Sequence, residues 1–203
     1  IALGGFTGYG VYTAWVRGDF FLNHPQPPRP VGAWTGYAML FLCGLHWGGN
    51  TGCFMAWCAP RTPLRYRDWA VRLAYGLAGA GLTALWVRIT PQWFLPFYNE
   101  GIYAVPENKT CIRSLLSLQT IAPHIGLLLG FLAYECRRGD RRAVAMILTM
   151  AMGFALPFSL GGYWHTFDNS TLPISWWKNW EMTIGLGGGA AFGLAWYWFN
   201  RPA

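Results

Sequence analysis

Charged side chains are scarce in this chain of 203 residues. Asp, Glu, Lys and Arg make up 11% of the sequence and hydrophobic residues 54%, whereas an ordinary soluble domain has about 25% charged residues. Such a composition is typical of an integral membrane protein. Acidic residues are the scarcest, with eight against fifteen basic ones. The basic residues form short clusters beside apolar runs, a pattern that argues against nucleic-acid binding.

Motifs for catalysis and for metal binding are also lacking. The chain contains no GxSxG, HExxH, Walker or GxGxxG motif. Its five cysteines show neither a zinc-binding spacing nor a disulfide framework, because three fall in one apolar run and only Cys111 falls in a connection. We therefore expect no metal site and no cofactor from motifs alone. The sequence leaves open whether the protein is an enzyme.

Long apolar runs are what the chain does have. Six can be drawn, at about 1–16, 34–59, 70–87, 114–135, 144–164 and 181–199. A helix of about 20 apolar residues crosses the ~30 Å hydrocarbon core of a bilayer. The sequence therefore predicts an all-α integral membrane protein with six transmembrane helices in a single domain, 1–203. Because the chain opens inside an apolar run without Met, we expect it to be a piece of a longer protein.

Charge is divided unequally between the connections. If successive helices alternate in direction, two short turns and the C-terminus lie on one side of the membrane. That side carries nine cations and three carboxylates, a net charge of +6, whereas the net charge of the other side is +1. The positive-inside rule then predicts cytoplasmic termini and three extracytoplasmic loops. The cations on the more basic side are Arg61, Arg65, Arg67, Arg72, Arg137, Arg138, Arg141, Arg142 and Arg201.

Small residues recur every four positions in several runs. Gly44, Gly48 and Gly52 form one ridge of a helix, where a second helix can approach closely. The motif His46-Trp-Gly48 resembles His124-Ile-Gly126 and, more loosely, Thr183-Ile-Gly185, each followed by further glycines. We therefore predict three repeated helical hairpins with glycine-rich packing faces, at about 1–59, 70–135 and 144–199. Similar packing is expected of Gly4 and Gly8, Gly189 and Gly193.

Two histidines fall at a similar depth in the second and fourth runs. His46 and His124 are each flanked by small residues, which would leave room for a macrocycle if both imidazoles ligated a haem iron or a pigment. The other interpretation is a structural pair that hydrogen-bonds between helices. Elsewhere the runs contain almost no ionisable residue in their middles, and we expect water or head groups to reach Glu135 and Glu181 at helix ends.

The predicted extracytoplasmic loops combine aromatic and ionisable residues. Aromatic rings beside carboxylates can bind a sugar or a lipid head group, and two carboxylates held about 5–9.5 Å apart can do acid and base chemistry. The candidate ligand-binding residues are Trp93, Trp164, Trp176, Trp177, Trp180 and Asp168, and the candidate catalytic residues are His165, Asp168 and Glu181.

These observations favour a multi-pass membrane module that binds, through its aromatic-rich loops, a partner subunit or an amphipathic small ligand. Its partners would be the lipid bilayer and either other membrane subunits or a domain outside this chain. Two alternatives stay open: a haem or pigment protein that uses His46 and His124, and a membrane enzyme that acts on glycans or lipid-linked sugars at the outer face.

Overall fold

The fold is mostly helical. The computed structural model describes residues 9–23, 26–58 and 65–200, so half of the predicted first run, including Gly4 and Gly8, lies outside the described residues, as do Arg61 and Arg201. Six α-helices occur in the described part: α1 (Tyr12–Val16), α2 (Ala33–Cys58), α3 (Tyr66–Ile89), α4 (Lys109–Arg138), α5 (Arg141–Leu160) and α6 (Trp176–Asn200). Two short antiparallel strands, β1 (Asp19–Phe20) and β2 (Arg29–Pro30), pair between α1 and α2.

Helix boundaries have local causes. The α3 N-terminus carries a capping interaction, because the Arg65 amide donates to the Asp68 carboxylate at 3.1 Å. Asp140 caps α5 by accepting a hydrogen bond from the amide of Ala143 at 3.0 Å. This contact gives a partner to one helical amide that would otherwise be unpaired. Gly139 ends α4 with φ +73°, a left-handed conformation that favours glycine. The turn between α4 and α5 consists of Gly139 and Asp140, so it is shorter than the gap between the predicted runs 114–135 and 144–164.

Three helices are long and apolar enough to cross a membrane: Tyr66–Ile89, Lys109–Arg138 and the segment Arg141–Thr166, which continues α5 into a 3₁₀ turn. The predicted span 34–59 corresponds to α2, which has 26 residues and no charge, and the predicted span 181–199 lies within α6. Both helices are rich in Gly and Trp, which lowers their mean hydropathy below that of the other three.

Glycines set the closest helix contacts. A Cβ at Gly44, Gly48 or Gly52 would collide successively with Phe154, Met150 and Ile147 of α5, so α2 and α5 are antiparallel. In the same way α3 and α4 cross where Gly79 meets Gly126 and where Tyr75 meets Gly130. Only a residue without a side chain permits backbone contact this close.

The sixth helix departs from the predicted glycine pattern. A Cβ at Gly185, Gly189 or Gly193 would meet no described atom within 4 Å, whereas Gly187 and Gly188 lie against Pro157 and Phe154 of α5. The packing face of α6 is therefore rotated away from the ridge that the sequence predicts. The buried residues of α6 are Trp180, Gly188, Ala191 and Ala195, and the large ring of Trp180 fixes which side of the helix faces the bundle.

The antiparallel order gives the bundle two different ends. The loop end holds the starts of α2, α4 and α6, the ends of α1, α3 and α5, and the long connections between them. The turn end holds the α4–α5 turn and the described cations Arg65, Arg67, Arg137, Arg138, Arg141 and Arg142. The candidate loop residues therefore lie at the loop end, whereas His46 and His124 lie within α2 and α4, in a different region of the bundle.

Candidate functional sites

His165 lies at the centre of an aromatic cluster at the loop end. Its ring centroid is 4.2 Å from that of Trp176, 5.3 Å from that of Trp180 and 5.9 Å from that of Trp177. The His165 side chain is 1% exposed, and neither ring nitrogen has a hydrogen-bond partner in the described part of the chain. The structure thus brings four of the predicted site residues together, namely His165, Trp176, Trp177 and Trp180. They form a packed cluster in which the His165 side chain is buried.

The predicted carboxylates do not join this cluster as partners of His165. Glu181 accepts hydrogen bonds from Trp177 Nε1 at 2.8 Å and from Lys178 Nζ at 2.6 Å. Asp168 accepts from the amide of Ser170 at 3.0 Å, a local turn contact that lowers the pKa of its carboxyl group. Among the described residues, neither carboxylate is placed to exchange a proton with His165.

The remaining candidate tryptophans have separate environments. Trp164 donates to the Thr183 hydroxyl at 3.0 Å. Trp180 is buried and donates to the carbonyl of Phe158 at 2.9 Å. Trp93 is 66% exposed and lies edge-on to Trp86. Of the predicted ligand-binding aromatics, Trp93 is therefore the most accessible to a partner.

A cavity of about 230 Å³ lies between α1 and the start of α4 at the loop end. Its apolar wall is formed by Val11, Ala14, Trp15 and Phe21, and its polar wall by Lys109, Thr110 and Arg113. No described acidic residue forms an ion pair with either cation. The cavity therefore combines unneutralised positive charge with apolar surface.

Contacts between loops hold this end together. Arg29 donates to both oxygens of the Glu100 carboxylate, at 2.6 and 2.9 Å, and its guanidinium lies 3.8 Å from the centroid of Phe97. The hydrogen bonds from Arg29 lower the pKa of Glu100, and the same bonds raise the pKa of Arg29. The connection that carries β2 is thus tied to the connection between α3 and α4.

The second predicted site lies inside the bundle. The rings of His46 and His124 have centroids 5.4 Å apart and planes tilted by 32°. Asn50 donates to the carbonyl of His46 at 2.9 Å and to that of His124 at 3.3 Å, joining α2 to α4. The two parallel helices therefore bring the predicted pair together.

A haem macrocycle does not fit between these rings in this packing. Gly44 and Gly48, which the sequence suggested as free space, lie against the α5 backbone, and Gly126 lies against Gly79 and Thr83 of α3. Opening room for a macrocycle would separate α2 from α5 or α3 from α4. The described contacts therefore support the histidine pair without supporting a haem.

Sequence reasoning missed a buried charged cluster near the turn end. Arg72 and Glu135 are 2% and 0% exposed, and Arg72 Nη2 lies 2.7 Å from Glu135 Oε1. Trp57 Nε1 donates to the same oxygen at 3.2 Å, and Arg138 approaches the other oxygen at 3.4 Å. The expectation that water or head groups reach Glu135 is therefore wrong, because α2 and α3 cover it.

Aromatic rings surround the buried guanidinium of Arg72. It lies 4.5 Å from the ring centroid of Trp69, 4.7 Å from that of Trp57 and 5.5 Å from that of Tyr134. Such faces attract a cation. A usable signal was present in the sequence: opposite charges occur near the turn-end limits of two consecutive apolar runs, at equal depth if the helices are antiparallel.

The described residues contain no group of three or more His, Cys, Asp and Glu side chains that could hold a metal ion. Comparison with protein-family models, with curated proteins and with solved structures found no match for this chain.

Proposed function

We propose that this protein is a multi-pass membrane protein whose loop end binds an amphipathic ligand with an anionic head group. The observation that carries the proposal is the 230 Å³ cavity with Lys109 and Arg113 on one wall and Trp15 and Phe21 on the other. Cationic side chains attract a phosphate or carboxylate head group, and the apolar wall excludes water from the adjoining carbons.

The size of the cavity limits what it holds. Pockets for whole drug-sized molecules measure about 300–1,000 Å³, so 230 Å³ suits a head group and the first part of a chain. The rest of the ligand would extend into the surrounding lipid. An amphiphile drawn from the membrane itself fits this arrangement better than a soluble metabolite.

The proposal includes a topology of six spans in three hairpins. It is supported by the alternation of long loops and short turns, by the antiparallel order of neighbouring helices and by the excess of arginine at the turn end. With the turn end in the cytoplasm, the cavity faces outward. The internal repeat and the binding of partner subunits stay predictions. The enzyme alternative has less support, because His165 lacks a carboxylate partner among the described residues.

Binding of radiolabelled dodecyl phosphate to protein in a neutral detergent tests the proposal. Replacing Lys109 and Arg113 together by Gln should weaken binding at least about tenfold, since a hydrogen bond to a charged group contributes roughly 1.5–3 kcal/mol. Ala14→Leu should also weaken binding, because the added carbons occupy the cavity without changing its charge.

Arg88→Gln supplies the matched control. Arg88 is an exposed cation at the loop end and does not line the cavity. Equal loss of binding in Arg88→Gln and in the double variant would show that the probe senses only the overall charge of this end, and the proposed site would be rejected. Unchanged binding in Ala14→Leu would likewise place the ligand elsewhere.

A further inference from the structure

We infer that His46 and His124 form a binding site for one monovalent copper ion between α2 and α4. This inference is independent of the loop-end cavity, which lies at the start of α4. Two imidazoles bound to one metal ion through metal–nitrogen bonds of about 2.0 Å place their ring centroids about 6.3 Å apart when the nitrogen–metal–nitrogen angle is linear and about 5.5 Å apart when it is about 120°. The observed centroid distance of 5.4 Å matches the second arrangement, that of a three-coordinate ion.

The tautomer of His124 is suited to metal binding. Its Nδ1 lies 2.6 Å from the carbonyl oxygen of Thr120. A carbonyl oxygen can only accept, so Nδ1 must carry the ring proton, and the lone pair of His124 is on Nε2. Histidine ligands of metals characteristically donate their other ring nitrogen to a carbonyl or carboxylate in this way.

His46 supplies the second observation. Its side chain is 3% exposed, and its Nε2 has no hydrogen-bond partner among the described residues. Buried polar atoms are rarely left in that state. The side-chain amide of Asn50 donates to the backbone carbonyls of His46 and His124 and not to their imidazole nitrogens. It therefore holds the two helices together at this level without using the nitrogens that would bind the metal. A metal ion shared with His124 would satisfy the buried nitrogen.

The surroundings favour a singly charged ion. Imidazole suits copper, zinc, iron and nickel, but the two described protein ligands are neutral, and no third His, Cys, Asp or Glu completes a group with them in the described part of the chain. Burial of an ion costs more free energy as its charge rises, unless anionic ligands compensate. Cu(I) carries one charge and is stable in a trigonal arrangement with two imidazoles and one small exogenous ligand, so it matches this donor set better than a divalent ion.

The test uses Cu(I) alone, added under anaerobic conditions to the detergent-solubilised protein in competition with a chromophoric Cu(I) chelator. Cys58 and Cys136 are exposed and could bind copper adventitiously, so both are replaced by Ser. We expect one ion per chain. His46→Gln and His124→Gln should each weaken binding at least tenfold, whereas His165→Gln, which removes an equally buried imidazole elsewhere, should not.

X-ray absorption spectroscopy of the copper-loaded protein gives a result that does not depend on the folding of any variant. The inference predicts a coordination sphere containing two imidazole nitrogens. A sphere dominated by sulfur would assign the copper to the remaining cysteines. Substoichiometric binding, or binding that persists in both histidine variants, would equally overturn the site.

Discussion

Arg72 and Glu135 show how much one buried charge depends on its partner. The pair lies between α3 and α4, and Trp57 of α2 completes the hydrogen bonding of Glu135 Oε1. Taking both ions out of water costs several kcal/mol each, which their attraction and hydrogen bonds offset. Removal of one partner leaves the other charge buried without compensation, so the pair should couple three helices energetically.

Glu135→Gln should therefore destabilise the protein by about 3–5 kcal/mol, measured by thermal or denaturant unfolding in detergent. Glu181→Gln is the control, because Glu181 belongs to an exposed pair with Lys178, and exposed pairs contribute about 0–1 kcal/mol. The double replacement Arg72→Met with Glu135→Leu should recover much of the loss. Similar melting temperatures for Glu135→Gln and Glu181→Gln would show that the buried pair has no special role.

At the scale of helices, glycines that have the same spacing in the sequence differ in their surroundings: some lie against another helix and others have an open face. Gly48 lies where α2 meets the backbone of Met150 and the side chain of Phe154, so any side chain there must displace α5. Gly189 lies on a face of α6 with no described neighbour within 4 Å of a Cβ. The two positions have the same spacing motif but opposite tolerance.

Gly48→Leu should lower stability by about 1–3 kcal/mol or more, because overpacking forces the helices apart. Gly189→Leu should leave the melting temperature in detergent nearly unchanged. Both variants add the same side chain to the middle of a long helix, so the comparison isolates the helix contact. A marked loss in Gly189→Leu would indicate that the outer face of α6 contacts another chain.

For the whole molecule, the two ends of the bundle should lie on opposite sides of the membrane. An impermeant maleimide added outside intact cells should label Asn108→Cys and Asn169→Cys at the loop end. Cys58 and Cys136, which are exposed and near the turn end, should react only after the membrane is permeabilised. Each cysteine is tested in a background without the other exposed ones. Labelling of both ends from outside would contradict the six-span arrangement.

The sequence by itself determined the helical class and the approximate positions of the helices. Scarce charge and long apolar runs are local properties, so five predicted runs coincide with α2 to α6 within a few residues. Equal depth in parallel helices also allowed the pairing of His46 with His124 to be predicted, and the structure places their rings 5.4 Å apart.

Only the tertiary structure decided which faces meet. The burial of Glu135, the exposure of Gly189 and the enclosure of His165 by three tryptophans depend on how each helix is rotated about its axis and on its neighbours. That rotation is set by the summed packing of large side chains against glycines on other helices, which no local spacing encodes. The loop-end cavity likewise joins residues about 100 positions apart in the chain, Val11 and Arg113.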